Sequence, residues 1–156
     1  EEVDMETFQL GTDHVVTDAQ RAQFNARPLV KALKILAENG EDYQFRRFAY
    51  HLDDQLESPE DYDLLAEIAQ EYNYYDVGVR GAKAGMAKGI LAPESAYPVP
   101  EYELLRQPMV ERPLILALSR QETEMNPTAV SGANARGLMQ FIPPGRSALS
   151  HVLADR

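Results

Sequence analysis

The chain reads as all-α, and three observations carry that reading. Apolar residues recur at three- and four-residue spacing along most of its 156 residues, strand-like alternation of period two is absent, and helix start and stop signals fall at regular intervals. The expected architecture is a run of α-superhelical, solenoid-like hairpin repeats over 1–92, a proline-rich linker over 93–108, and a further helical unit over 109–156.

Residues 1–16 carry little pattern. Thr17-Asp18 can cap a short helix reaching Asn25, because a threonine hydroxyl satisfies an unpaired first-turn N–H. Pro28 opens a stronger helix with Leu29, Ala32, Leu33 and Leu36 on one face, and Asn39-Gly40 stops it. The next helix is expected from about Asp42 to Leu56, with Phe45, Phe48, Ala49, Leu52 and Leu56 inward. Ser58-Pro59-Glu60-Asp61 then reads as cap, first-turn proline and acidic first turn. Leu65, Ile68, Ala69 and Tyr72 form the stripe of the helix that follows, Asn73 breaks it, and another runs from about Tyr74 to Lys88.

The two hairpins look alike. Leu33, Leu36, Ala37 and Tyr43 match Leu65, Ile68, Ala69 and Tyr75 at a constant offset of 32 residues. A two-helix repeat of that length is the signature of an α-solenoid, in which each hairpin covers its neighbour's exposed face. Gly78, Gly81, Ala82 and Gly85 share one face of the last helix, which predicts close packing there, a frayed helix being the other reading. Tyr72, Tyr74 and Tyr75 either line a sugar-binding groove or pack in the core.

From Leu91 to Pro108 the composition shifts, and Pro93, Pro98, Pro100 and Pro108 predict a stiff extended connection. Pro113 then heads a helix, tolerated because its missing N–H had no helical partner. Ile115, Leu118 and Glu122 fall on one face of it, so a carboxylate ends the stripe expected to be buried. An apolar surround would keep that carboxyl as a proton donor. The alternative is a last-turn residue rotated to solvent or paired with Arg120, Arg136 or Arg146. Asn126-Pro127 stops the helix, the small-residue loop 129–137 can approach a substrate with its backbone, and Leu138-Met139-Gln140 begins the next element.

Composition excludes several partners. Asp plus Glu number 25 against 15 Lys plus Arg, a net charge of −10, which argues against nucleic acid and anionic membrane surfaces. It does not argue against a glycan, which is read by hydrogen bonds and apolar stacking. Cysteine is absent, so there is no disulfide framework or thiolate metal site, and His14, His51 and His151 lack ligand spacing. No metal and no cofactor is expected. No apolar run approaches the roughly 20 residues of a membrane span. The chain opens on Glu1-Glu2-Val3-Asp4 without a signal-peptide pattern, so either the protein stays inside or a leader has been removed.

The run Arg120-Gln121-Glu122, with Asn126-Pro127, Ala129-Val130-Ser131, Ala135-Arg136-Gly137-Leu138-Met139-Gln140 and Pro143, resembles the opening of the catalytic domain of soluble lytic transglycosylases. Those are lysozyme-like enzymes of the bacterial cell wall, with a superhelical array of helical hairpins before the catalytic domain. Ala96-Tyr97-Pro98 resembles the stretch entering that domain, and Ile142 stands where methionine is usual. The resemblance is dense over 113–143 and architectural over 17–92.

The resemblance implies that Glu122 is a sole catalytic acid and base. It would protonate the glycosidic oxygen between N-acetylmuramic acid and N-acetylglucosamine, then take the proton of the muramic 6-hydroxyl as that oxygen closes on C1. The product is a 1,6-anhydro sugar, and no second carboxylate is required because the nucleophile belongs to the substrate. Ser131 and Gln140, with Met139 and Gly137, match positions that line the sugar subsites. Peptidoglycan glycan strands are the implied partner and the periplasm the implied compartment.

The family's domain continues well beyond the Gly-Leu-Met-Gln segment, and the run Pro144-Gly145-Arg146-Ser147-Ala148-Leu149-Ser150 departs from it. The expectation is a domain cut early, with Glu122 deprived of covering surface and an uncovered apolar face prone to self-association. Two functions follow: a transglycosylase, or an inactive helical module that binds peptidoglycan or a protein partner through 17–92.

Overall fold

Seven helices form among the described residues, 15–101 and 110–142 of a computed structural model. The chain divides into two units, Glu1–Glu101 and Tyr102–Arg156. Readings that involve His14, His151, Pro108, Arg146 and the run after Pro143 lie outside the described residues. The fold is all-α: among the described residues, isolated bridges join Val130 to Arg136 and Arg136 to Phe141 and no strand forms.

The first unit holds α1 (Asp18–Ala26), α2 (Pro28–Glu38), α3 (Asp42–Asp53), α4 (Pro59–Glu71), α5 (Tyr75–Ala87) and the single turn α6 (Pro93–Ala96). Thr17 closes a full capping box on α1 with Gln20, and the Ser58 hydroxyl accepts the Asp61 N–H at the head of α4. Helices α2, α4 and α5 all end in a left-handed residue: Gly40 (φ +67°), Asn73 (φ +64°) and Gly89 (φ +80°). Each corner is closed by an N–H reaching back five residues: Glu41 to Leu36 O at 2.9 Å, Tyr74 to Ala69 O at 2.7 Å and Ile90 to Gly85 O at 2.9 Å.

Helix α2 packs on α3, α4 on α5, and α3 on α5, while α1 leans on α2 and α4. The core runs through Phe24, Val30, Leu33, Phe45, Ala49, Leu52, Leu56, Tyr62, Leu65, Ala69 and Val77. The 32-residue offset holds for buried pairs such as Leu33 with Leu65 and Phe45 with Val77, but the corners Gly40 and Asn73 are 33 apart.

Several expectations change. Helix α3 stops at Asp53, and Leu56 is buried from the following turn. Phe48, expected inside, is 40% exposed, because the buried line of α3 follows Phe45, Ala49, Leu52 and Asp53. Tyr74 is core: its ring stacks on Phe45 at 4.2 Å and its hydroxyl donates to Asp42 Oδ1 at 2.6 Å. Burial first, then that hydrogen bond, pushes its phenol up to about 12. Pro93 opens a helical turn where extended chain was expected, and Ser95 and Ala96 are buried as α6 packs on α4 and α5.

The glycine face of α5 does permit close approach. A Cβ on Gly85 would stand 3.0–3.2 Å from the Tyr62 ring, whereas one on Gly81 would meet Tyr62 and Leu65 at 3.6–3.7 Å. Gly81→Ala is therefore expected to stabilise by about 0.5–1 kcal/mol through helix propensity. Gly85→Ala is expected to cost about 1–3 kcal/mol through overpacking. Urea melts of both variants check the opposite signs.

Asp53 ends α3 almost fully buried, and its Oδ1 has no hydrogen-bond partner. The neighbouring Lys88 ammonium donates to the carbonyls of Asp53, Asp54 and Leu56 and to the Tyr62 hydroxyl, at 3.1–3.3 Å. Burial raises the Asp53 carboxyl to about 6, partly opposed by Lys88. The unfolded carboxyl loses its proton near 3.8, so between there and about 6 the folded chain holds the extra proton. This group's contribution to stability therefore falls as pH rises through that window, by about 3 kcal/mol, and is flat above it. Thermal melts of the parent against Asp53→Asn from acid to neutral pH should show that difference between the two.

Candidate functional site

The second unit builds its site from one helix and the loop that folds back on it. Helix α7 (Arg112–Thr123) starts with Pro113 in its first turn, as expected. It ends at Thr123, before the Asn126-Pro127 stop, because Glu124 (φ 55°) and Met125 (φ 71°) both turn left-handed. Two consecutive non-glycine residues in that region are uncommon. The turn is held by Met125 N–H to Ser119 O at 3.2 Å and Glu124 N–H to Arg120 O at 3.1 Å, and it inserts Met125, 1% exposed, as an anchor.

Glu122 is not on the buried face. The covered line of α7 is Ile115, Ser119 and Thr123, one helical step away from Ile115, Leu118 and Glu122; Leu118 is 40% exposed and Glu122 lies open. The physical reason lies in the polar residues. Ser119 turns its hydroxyl onto Ile115 O at 2.9 Å, and Thr123 turns its own onto Ser119 O at 3.1 Å, so both satisfy themselves against the helix and can be covered. Nor is Glu122 paired among the described residues, and Arg136, one of its expected partners, is bonded to Asn134 Oδ1.

The loop after α7 is hydrogen-bonded throughout. Asn126 Oδ1 accepts from the N–H and hydroxyl of Thr128, both at 2.9 Å. Ser131 N–H donates to Ala135 O at 2.9 Å, and the Ser131 hydroxyl accepts the Ala135 N–H at 3.1 Å, with the small side chain of Ala135 buried beneath. Gly137 has φ +75° and donates to Ala129 O at 3.0 Å. The 138–140 segment, expected to begin the next element, is a turn, and Gln140 itself has φ 52°. The Gln140 amide nitrogen donates to Gly137 O at 3.0 Å and Ala129 O at 3.3 Å, leaving its oxygen as an acceptor.

One bond ties the loop to the helix end: the Thr123 hydroxyl reaches Leu138 O at 2.9 Å. The structure thus joins the last turn of α7, which carries Glu122, to the loop carrying Ser131, Gly137, Met139 and Gln140. Sequence reasoning missed Thr123, Ser119 and Met125 as the residues that hold the arrangement. The available signal was a serine and a threonine four apart, which bond back to helical carbonyls and so tolerate burial.

Residues 102–154 match the family model described as the Transglycosylase SLT domain. The match runs past Pro143, so the resemblance does not end there as the residues alone suggested. A putative soluble lytic murein transglycosylase of Haemophilus influenzae is 32% identical over 81 residues, which make up 51% of this chain and 14% of that protein. The chain therefore spans a small part of the length of that relative. No solved structure gives a significant match. The segment that holds Glu122 and the loop bonded to its helix is thus similar to the transglycosylase domain of lytic transglycosylases.

Proposed function

We propose that the chain carries part of the site of a peptidoglycan lytic transglycosylase that cleaves the MurNAc-β-1,4-GlcNAc bond with 1,6-anhydro closure. The observation that supports this most is the union, through Thr123 and Leu138, of the helix end bearing Glu122 with the glycine-containing loop 129–140. Glu122 donates a proton to the leaving glycosidic oxygen and then, as carboxylate, removes the proton of the muramic 6-hydroxyl as that oxygen attacks C1. Proton count balances across the cycle, and no water enters the product. The Ser131 hydroxyl and the Gln140 amide oxygen offer hydrogen bonds to sugar groups, and Gly137 lets the backbone come near them. The periplasm is the compartment this substrate requires. The test is digestion of purified sacculi with products read by mass spectrometry. Anhydro ends, one water lighter than hydrolytic ends, are expected; hydrolytic ends alone would sink the reading.

A second reading draws on the exposure of Glu122. An open carboxylate lacks the water-excluded surroundings that strengthen acid catalysis. In that reading the chain binds peptidoglycan or a protein partner through the hairpins of 17–92 and cuts nothing. Sedimentation with sacculi would then survive Glu122→Gln and fail on disruption of the hairpins. In either reading, the exposed Leu114, Leu118, Val130, Phe141 and Ile142 favour self-association, and a sedimentation coefficient rising with concentration is the expected result.

A further inference from the structure

We propose that Thr123 is a positioning residue for the transglycosylase reaction, holding the loop 137–140 at a fixed place beside Glu122; this rests on the reading of that site given above. Thr123 follows Glu122 directly, and its hydroxyl sits between two carbonyls, Ser119 O at 3.1 Å and Leu138 O at 2.9 Å. A hydroxyl has one proton to donate. The bond to Ser119 O is the ordinary back-bond of a helical threonine and carries no long-range information. Ser119 O also accepts the Met125 N–H, so it would remain satisfied without Thr123. Leu138 O is fifteen residues away in sequence, in the turn whose flanking residues Gly137, Met139 and Gln140 face the substrate in the proposed function.

The turn needs such an anchor. Two of its residues, Gly137 and Gln140, are left-handed, and the side-chain bonds from Gln140 to Gly137 O and Ala129 O are internal to the loop. They shape the loop without fixing it to the helix. The left-handed pair Glu124-Met125 brings the chain round, and buried Met125 fixes the start of the loop. The Thr123 hydroxyl fixes its far end. A polar group on the residue next to the proposed acid therefore sets the distance between that acid and the sugar-binding turn.

The experiment compares the parent chain with Thr123→Val, Thr123→Ala and Thr123→Ser, each first checked for helical circular dichroism. Amide NMR shifts of 137–140 report loop placement, and turnover of soluble glycan strands reports kcat and KM. Valine and alanine should move those amides and lower kcat by roughly 10- to 100-fold, with a smaller change in KM, because small misplacements act on the reacting geometry. Serine, which keeps the hydroxyl, should restore both. Unmoved amides and unchanged kcat in valine and alanine would overturn the proposal, as would a serine variant as impaired as valine. If the parent forms no anhydro product, the functional reading fails separately, and the amide shifts alone decide whether Thr123 holds the loop.

Discussion

Glu122→Gln is expected to remove anhydro-product formation by a factor of about 100 to 10,000 while leaving the helical content unchanged. Glutamine keeps the size and hydrogen-bonding reach of the side chain but can neither give nor take the proton. The expectation of an intact fold follows from the structure: Glu122 is exposed, unpaired among the described residues, and off the covered line of Ile115, Ser119 and Thr123. Its loss should therefore shift the melting temperature little. Glu124, two residues on and at the left-handed helix cap, serves as the control. Glu124→Gln should retain most of the rate, since its φ of 55° points to a role in the turn. Equal losses in the two variants would remove Glu122 from its assigned place.

The largest effect on stability is expected in the first unit. Arg46→Ala should cost about 3–5 kcal/mol, because it strands Asp76 as an uncompensated buried charge. The Arg46 guanidinium grips that carboxylate with two bonds, Nε to Oδ2 at 2.7 Å and a terminal nitrogen to Oδ1 at 3.2 Å. The Asp76 side chain is only 4% exposed. The same guanidinium lies 5.0 Å over the Tyr74 ring, which stacks on Phe45, so the pair also closes the α3–α5 contact. Arg21 offers the contrast. Its bond to Glu67 joins two side chains that are nearly half exposed, and Arg21→Ala should cost far less than Arg46→Ala because solvent screens the pair. Replacing Arg46 and Asp76 together by apolar residues should recover much of the loss, since an absent pair leaves no stranded charge. Chemical denaturation of the four proteins checks the ranking.

Local chemistry made most of the first unit legible. Thr17, Pro28, Ser58 and Pro59 announced helix starts, and Gly40 and Asn73 announced stops, because caps and left-handed residues act within a few positions. Which side of a helix is covered was less legible. Period alone counted Phe48 and Leu118 as inward, yet coverage depends on which neighbours arrive, and at α7 a serine and a threonine took the inner line by bonding to their own helix. The loop residues Ser131, Gly137 and Gln140 were found through the family resemblance. Their geometry was not: nothing in the sequence spacing says that Gln140 turns its amide inward to Ala129 and Gly137, or that Thr123 reaches Leu138. The bonds to Ala129 and Leu138 join positions eleven and fifteen residues apart, a range over which periodicity is silent. The short helix α6 was hidden for a related reason: proline spacing predicts extended chain, while Pro93 is equally suited to begin a helical turn.

The claim that Glu122 acts without a second carboxylate depends on the nucleophile coming from the substrate. Digesting sacculi in water enriched in heavy oxygen tests this most directly, with the new chain ends read by mass spectrometry. Intramolecular closure predicts anhydro ends that carry no label. Labelled reducing ends would show that water attacks C1, and that result would contradict the account.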